Sequence, residues 1–395
     1  MTQLRYRDIC RLGQVNRYLQ SVVQDGHLFQ AILKRDFPTF KAEVSQARAI
    51  YQREFILRDN LLNRRWEINT YSVPDRSATP VACLLEKEGK LFVCFEDFIQ
   101  IFDYKTKSWL ARLEGCVRGP QGIIEKNGRL YAAAKNHAIG VWNGTTHECL
   151  TTLPGHTGAV SCLVQAGDRL YSGAEDGTIR VWDLNTHECL SCLREHEATI
   201  KCLMVKDGKL FTGSSDNTIR VWELETFKCC GTLKNHQGPL TTLSENGTSL
   251  FSLAKDGRVE EWDPDKLVHK ASFTDPTGQR VESLIAVGDN LCMGLANGWI
   301  SIWNCATRQC VATLQGHTQK VNHLLAKEGK LYSGSDDETV CVWDLANYKK
   351  LATSPKHEGS LSCLAESHGK IYSGSGTSVK LWDFYNTPVR KLMYK

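Results

Sequence analysis

A chain of 395 residues with 42% apolar side chains is long enough to bury a sizeable core, and its formal net charge of +4 is small for that length. The excess sits in the first 78 residues, where 13 basic side chains meet 8 acidic ones, so composition supplies no concentrated basic face for nucleic-acid binding. No stretch approaches a spanning helix and Met1 to Asp8 lack the apolar run of a signal peptide, which argues against a membrane protein.

In chain order, apolar residues first recur at helical spacing: Ile9, Leu12, Val15 and Leu19, then Leu28, Phe29, Ile32 and Leu33. Asp8 and Asp25-Gly26 stand where helix starts and turns belong. A third amphipathic stretch, roughly 41–63, carries Tyr51, Phe55, Ile56 and Leu62 among several Arg. This predicts a small all-α segment over residues 1–38 and a linker helix over 39–65. Two readings compete for it: a helical cap, or an apolar surface that a partner covers.

The pattern then changes. At a nearly fixed step of 40 residues, a β-type run ends in Trp or Phe followed by an acid or Asn: Phe102-Asp103, Trp142-Asn143, Trp182-Asp183, Trp222-Glu223, Trp262-Asp263, Trp303-Asn304, Trp343-Asp344 and Trp382-Asp383. Such a period marks supersecondary units that bury their apolar faces only by stacking on one another. Within the unit 153–183, Gly167-Asp168 and Asp176-Gly177 separate short apolar runs, which predicts consecutive antiparallel strands; 188–193 supplies a fourth. Four strands per unit repeated radially is a β-propeller, here over residues 66–395. Eight markers mean eight blades, and either 66–72 or 389–394 supplies the strand that closes the ring.

Cysteine follows the repeat too. Cys149, Cys189, Cys229 and Cys310 each lie seven residues after a marker Trp, and Cys162 and Cys202 twenty before one, which reads as reduced thiols at core-facing strand positions in a cytoplasmic or nuclear protein. Cys189-Leu-Ser-Cys192 has metal-type spacing but no partner His pair, so no metal and no cofactor are expected.

The succession Gly155-His156, Ser172-Gly-x-x-Asp176, Val181-Trp182-Asp183 resembles the WD40 repeat. In that family a His, a strand hydroxyl, a hairpin Asp and the Trp form a buried hydrogen-bonded set. The resemblance implies full sets at His156, Ser172, Asp176, Trp182; His196, Thr212, Asp216, Trp222; His236, Ser252, Asp256, Trp262; and His317, Ser333, Asp337, Trp343. Cys116 and Ala132, Pro276 and Gly376 break the set in units two, six and eight, and Phe102 replaces Trp in unit one, so those blades should be less rigid. A Ser/His/Asp grouping also suggests acyl transfer, but a triad occurs once and lines a pocket, whereas this grouping recurs with each blade. The chain therefore reads as a non-enzyme.

Residues 8–25 with Leu28-Phe29 resemble the latter part of an F-box: Ile9-Cys10-Arg11, Val15-Asn16-Arg17-Tyr18 and Leu28-Phe29 hold that family's places, and the family's opening Leu-Pro helix has no counterpart here. Residues 50–58 and 63–66 resemble the linker helix and leading strand of F-box/WD40 proteins. The resemblance implies a substrate-recognition subunit of a cullin-type ubiquitin ligase. Ile9, Leu12, Val15, Asn16, Leu28 and Phe29 would bind a Skp-type adaptor within the cullin complex. The propeller's top face, through Lys135, Lys201, Lys255, Arg280 and Lys320, would bind a protein substrate, phosphorylated or not. The alternative is a WD40 scaffold with no ubiquitin-ligase role. Neither reading involves nucleic acid or membrane.

Overall fold

The structure, a computed structural model, describes residues 67–72, 80–87, 89–95, 98–103, 106, 108–114, 123–367, 370–376 and 378–383. The helical readings of 1–38 and 39–65, and with them Ile9, Leu12, Val15, Asn16, Leu28 and Phe29, lie outside the described residues.

Glu67–Asp383 is a compact unit of eight four-stranded antiparallel sheets. Blade one comprises Cys83–Lys87, Lys90–Cys94, Phe98–Asp103 and Ser108–Glu114, and blade two Ile123–Lys126, Arg129–Ala133, Ile139–Asn143 and Cys149–Leu153. Blade three comprises Val160–Ala166, Arg169–Ala174, Ile179–Asp183 and Cys189–Leu193. Blades four to seven repeat this order over 200–234, 240–273, 281–314 and 321–353. First strands of successive blades pack side by side, so they line the centre. Second strands are covered on both faces by neighbouring blades, which is why Leu170 to Ala174 read as a continuous buried run and not as an alternation.

The ring closes through its earliest strand. Glu67–Ser72 pairs with Ser378–Asp383 over six residues without a shift, as the outer strand of blade eight, and Val81 N donates to Gly376 O at 2.8 Å. This decides between the two closing segments in favour of 67–72.

The turns explain the marker dipeptide. Asp183 Oδ1 accepts the amides of Asn185 (2.7 Å) and Thr186 (2.9 Å), and Asn143, Asp263 and Asn304 do the same in their blades. The acid or Asn after each of these Trp residues is therefore turn chemistry. The first hairpins of blades two, four and seven have positive φ at both central residues, as at Asp207 (47°) and Gly208 (74°).

In the full sets, one hydroxyl sits between ring and indole. In blade three, Ser172 Oγ lies 2.8 Å from His156 Nε2 and accepts Trp182 Nε1–H at 2.9 Å, while His156 Nδ1 is 3.1 Å from Asp176 Oδ2. Blades four and seven match it through His196, Thr212, Asp216, Trp222 and His317, Ser333, Asp337, Trp343. Each set ties an inter-blade loop, two strands and a turn together. A fifth member escaped the sequence reading: Thr178, Thr218 and Thr339 donate Oγ1–H to the same carboxylates at 2.7, 2.7 and 2.6 Å. Its signal is an Asp-x-Thr spacing.

Blade five lacks that threonine. Arg258 stands in its place, and the His236 Nδ1 to Asp256 distance opens to 3.9 Å, leaving Nδ1 buried without a hydrogen bond, so the fourth set is incomplete. The departures elsewhere are filled by packing. Trp142 folds over Gly140 in blade two, where Ala132 offers no hydroxyl and a Cβ at 140 would overlap the ring. In blade six Trp299 packs against the core beside Met293, and Trp303 Nε1 donates to Ser301 at 3.3 Å. In blade one Phe102 meets the edge of Trp109 at 5.0 Å. Blade eight keeps His357, Ser373 and Trp382 in contact, but pairing down to Ser375–Ser378 leaves a turn one residue shorter than the 175–177 turn of blade three, with no position for the acid.

The cysteines expected to face the core divide between core and surface. Cys162 and Cys202 are buried as expected, but Cys149 and Cys189 are exposed. They sit on outer strands, one before the extra residue of a bulge opposite the marker Trp, where no further blade covers them.

Candidate recognition face

Every inner strand from blade three to blade eight opens with a bulge. Val160 pairs with Ala174 and Cys162 with Gly173, which leaves Ser161 as the extra residue; Lys201, Thr241, Glu282, Asn322 and Ser362 hold the same place. Side chains at or beside these bulges cross to the next blade: Ser161 and Ser362 donate to Ile200 O and Val81 O, Ser283 to Val321 O at 2.8 Å, and Asn322 to Leu361 O at 3.2 Å. The inner strands thus start at one level, and their starts form a single rim with the turns between second and third strands.

All five cations named from the sequence fall on that rim, at three kinds of position. Lys201 is the half-buried bulge residue of blade four, and Lys255 is exposed in the turn of blade five. Arg280 and Lys320 immediately precede the inner strands of blades six and seven. Lys135 begins the 3-10 turn of blade two.

Their electrostatics differ. Arg280 is held by Glu282 through Nε–H···Oε1 at 2.8 Å and a terminal N–H···Oε2 at 3.0 Å, and Lys320 lies 3.4 Å from Asp336. The ammonium groups of Lys201 and Lys255 have no such partner among the described residues. Structure brings Arg280 against the turn that carries Lys255, and leaves Lys201 and Lys320 on blades four and seven.

Just beneath the rim, the sets titrate differently. Hydrogen bonds from Thr178, Thr157 and His156 outweigh burial and hold the Asp176 carboxyl well below the usual carboxylate range, and Asp216 and Asp337 follow the same pattern. Burial works against a charge on His317, but hydrogen bonds to Asp337 and Cys341 prevail and push it up to about 9. His357, with no acid partner among the described residues, is driven down to about 3 by burial, with Lys380 adding to the effect. Ser172, Thr212, Ser252 and Ser333 are fully buried and each accepts an indole N–H, so none of these hydroxyls is placed to attack a substrate. Among the described residues no group of His, Cys, Asp or Glu is arranged to hold a metal ion.

A second feature went unread in the sequence. The cation opening the second strand reaches the following blade's outer turn: Lys90 donates to Gly144 O at 2.8 Å, Lys209 to Pro264 O at 3.1 Å, and Arg169 to Leu224 O. Between blades five and six the direction is reversed. Ser249 replaces the cation, and Arg308 reaches back to the buried Glu261 at 3.1 Å, which also binds Lys270 at 2.9 Å.

The WD domain, G-beta repeat family matches residues 147–183, 187–223, 227–263 and 308–344. Each match runs from the outer turn of one blade to the marker Trp and acid of the next, and the four cover the blades with a His, a hydroxyl, an Asp and a Trp in register. The chain carries WD40 repeats. No curated protein sequence matches it. Among solved structures, the crystal structure of the computationally designed Ika8 protein is similar at 25% identity with a TM-score of 0.71, over 79% of this chain and 98% of that one. WD40 repeats are in general protein-interaction elements, and the propeller they build here suggests an interaction scaffold.

Proposed function

We propose that this scaffold is the substrate-recognition subunit of a cullin-type ubiquitin ligase, docking a Skp-type adaptor through residues 8–33 and a protein target on the propeller rim. The observation that carries rim recognition is the level ring of blade starts bearing Lys201, Lys255, Arg280 and Lys320 over a frame locked by buried hydrogen bonds. A rigid platform of this kind does no chemistry itself; it raises a target's local concentration near the ubiquitin-loading enzyme. The adaptor half rests on the sequence resemblance through Ile9, Leu12, Val15, Asn16, Leu28 and Phe29.

Co-purification with a Skp-type adaptor tests the first half. Val15→Glu with Leu28→Glu should abolish the complex and leave the propeller's unfolding transition unchanged; a wild-type chain that captures no adaptor refutes the ligase reading. For the rim, reversal of Lys201, Lys255, Arg280 and Lys320 to Glu should release targets, whereas reversal of Lys228, Lys349 and Lys350, exposed near the outer turns, should not. Arg308 is unsuitable as such a control, because its loss leaves Glu261 with one cation fewer in a buried site.

A further inference from the structure

One rim cation, Arg280 of blade six, packs against the blade-five turn that carries another, Lys255. Gly257 lies in the blade-five turn at φ +78°, between Lys255 and Arg258, and the space its side chain would take is filled by the Arg280 stem of blade six. A Cβ there would overlap Arg280 Cγ and lie 3.3 Å from its Cα. The seam thus gathers Lys255, Arg258 and Arg280 within the width of one turn.

Glu282 gives the cluster a direction. It grips Arg280 along the Nε edge by two parallel hydrogen bonds of 2.8 and 3.0 Å, the fork geometry that fixes a guanidinium plane. The acid side chain is 17% exposed and the arginine 57%, so the carboxylate is tucked under and the guanidinium faces outward. Its other terminal nitrogen has no partner among the described residues, and neither do the side chains of Lys255 and Arg258. Arg-x-Glu at the start of an inner strand occurs in blade six alone among the described blades. An isolated exposed ion pair contributes little stability. A guanidinium held on one edge presents its remaining donors at reduced entropic cost.

We infer that the seam between blades five and six is an anion subsite that takes a carboxylate side chain of an acidic partner peptide, with Arg280 as the donor fork, Lys255 and Arg258 as flanking charges and Glu282 as the positioning residue. This rests on the rim reading above and names its ligand. A single carboxylate fits because Glu282, and Asp256 bound to the turn amide of Arg258, already offset much of the positive charge. A dianionic phosphate would face Glu282 across the same guanidinium.

The test uses the full chain and a labelled hexaglutamate peptide at low salt, with a phosphoserine-containing hexapeptide as the second arm. Arg280→Gln and Lys255→Gln should each weaken hexaglutamate binding by about five-fold or more, roughly the effect of one exposed charge contact. Gly257→Ala keeps every charge and displaces Arg280, and should weaken it as well. Glu282→Gln separates positioning from charge counting: removal of an acid strengthens anion binding if only net charge matters, and weakens it if Arg280 must be held. An unchanged affinity for Arg280→Gln, a tighter one for Glu282→Gln, or a preference above about ten-fold for the phosphopeptide overturns the assignment. If Arg280→Gln is silent while reversal of all four rim cations abolishes binding, the subsite falls and the rim reading stands. If both variants bind as wild type does, or if wild type binds neither peptide, the two fall together.

Discussion

Asp216→Ala and Asp256→Ala remove the same group from neighbouring blades and should differ sharply in cost. Asp216 accepts His196 Nδ1 at 2.6 Å, Thr218 Oγ1 at 2.7 Å, and the amides of Thr218 and Glu197 at 2.9 and 3.2 Å. Among the described residues Asp256 accepts two amides, Gln237 N at 3.0 Å and Arg258 N at 2.9 Å, with His236 at 3.9 Å. The amide bonds are common to both, so the difference is two side-chain bonds to a partly buried carboxylate. At about 1 to 1.5 kcal/mol each, Asp216→Ala should cost roughly 2 to 3 kcal/mol more than Asp256→Ala. Hydrogen bonds hold the Asp216 carboxyl low against the opposing effect of burial, so its stabilisation is complete above the unfolded carboxyl pKa of about 4 and fades as pH falls below it. The assay is native-state hydrogen exchange of Ile200–Lys206 and Lys209–Ser214 against Leu240–Glu245 and Leu250–Ala254 at neutral pH, because blades of a repeat array open locally. Equal losses would refute the view that the Asp-x-Thr pair closes the set.

Blades seven and eight should respond to pH in opposite directions. His317 is raised to about 9, so its contribution is full below about pH 6.5 and is lost as pH rises through 9; Asp337→Asn should remove that alkaline slope in hydrogen exchange. His357 is lowered to about 3, so its neutral form stabilises blade eight above about pH 6.5 and the benefit is lost on acidification toward 3; His357→Gln should flatten that acid limb. Gly140→Val forces Trp142 off its seat and should cost about 1 to 3 kcal/mol by overpacking, while the same change at Gly128, which has open space but φ +69°, should cost only backbone strain, read in denaturant titrations. Arg308→Ala should loosen the seam between blades five and six more than Lys209→Ala loosens the preceding one, because Glu261 is buried and Asp265 at the Lys209 seam is exposed; exchange across each seam distinguishes them.

The blade count, the strand order and the full sets of blades three, four and seven were legible in the sequence because each is local: a marker every 40 residues, a hairpin Gly and a His in register. The Asx turn that follows the marker Trp went unread, although it needs only its own four residues. What tertiary structure decided depends on neighbours that periodicity does not specify. Glu67–Ser72 closes the ring because it meets a strand more than 300 residues away, and Cys149 is exposed because no blade covers an outer strand. The spacing that names His236 and Asp256 as partners also fits a pair 3.9 Å apart, in the one full set whose Asp-x-Thr position holds Arg258 instead. The rim cations look alike in register, yet Glu282 and Asp336 pair with two of them, and Gly257 leaves the space that the Arg280 stem fills. Register sets which end of a blade a residue occupies; the charge it shows to a partner is set by the side chains packed around it.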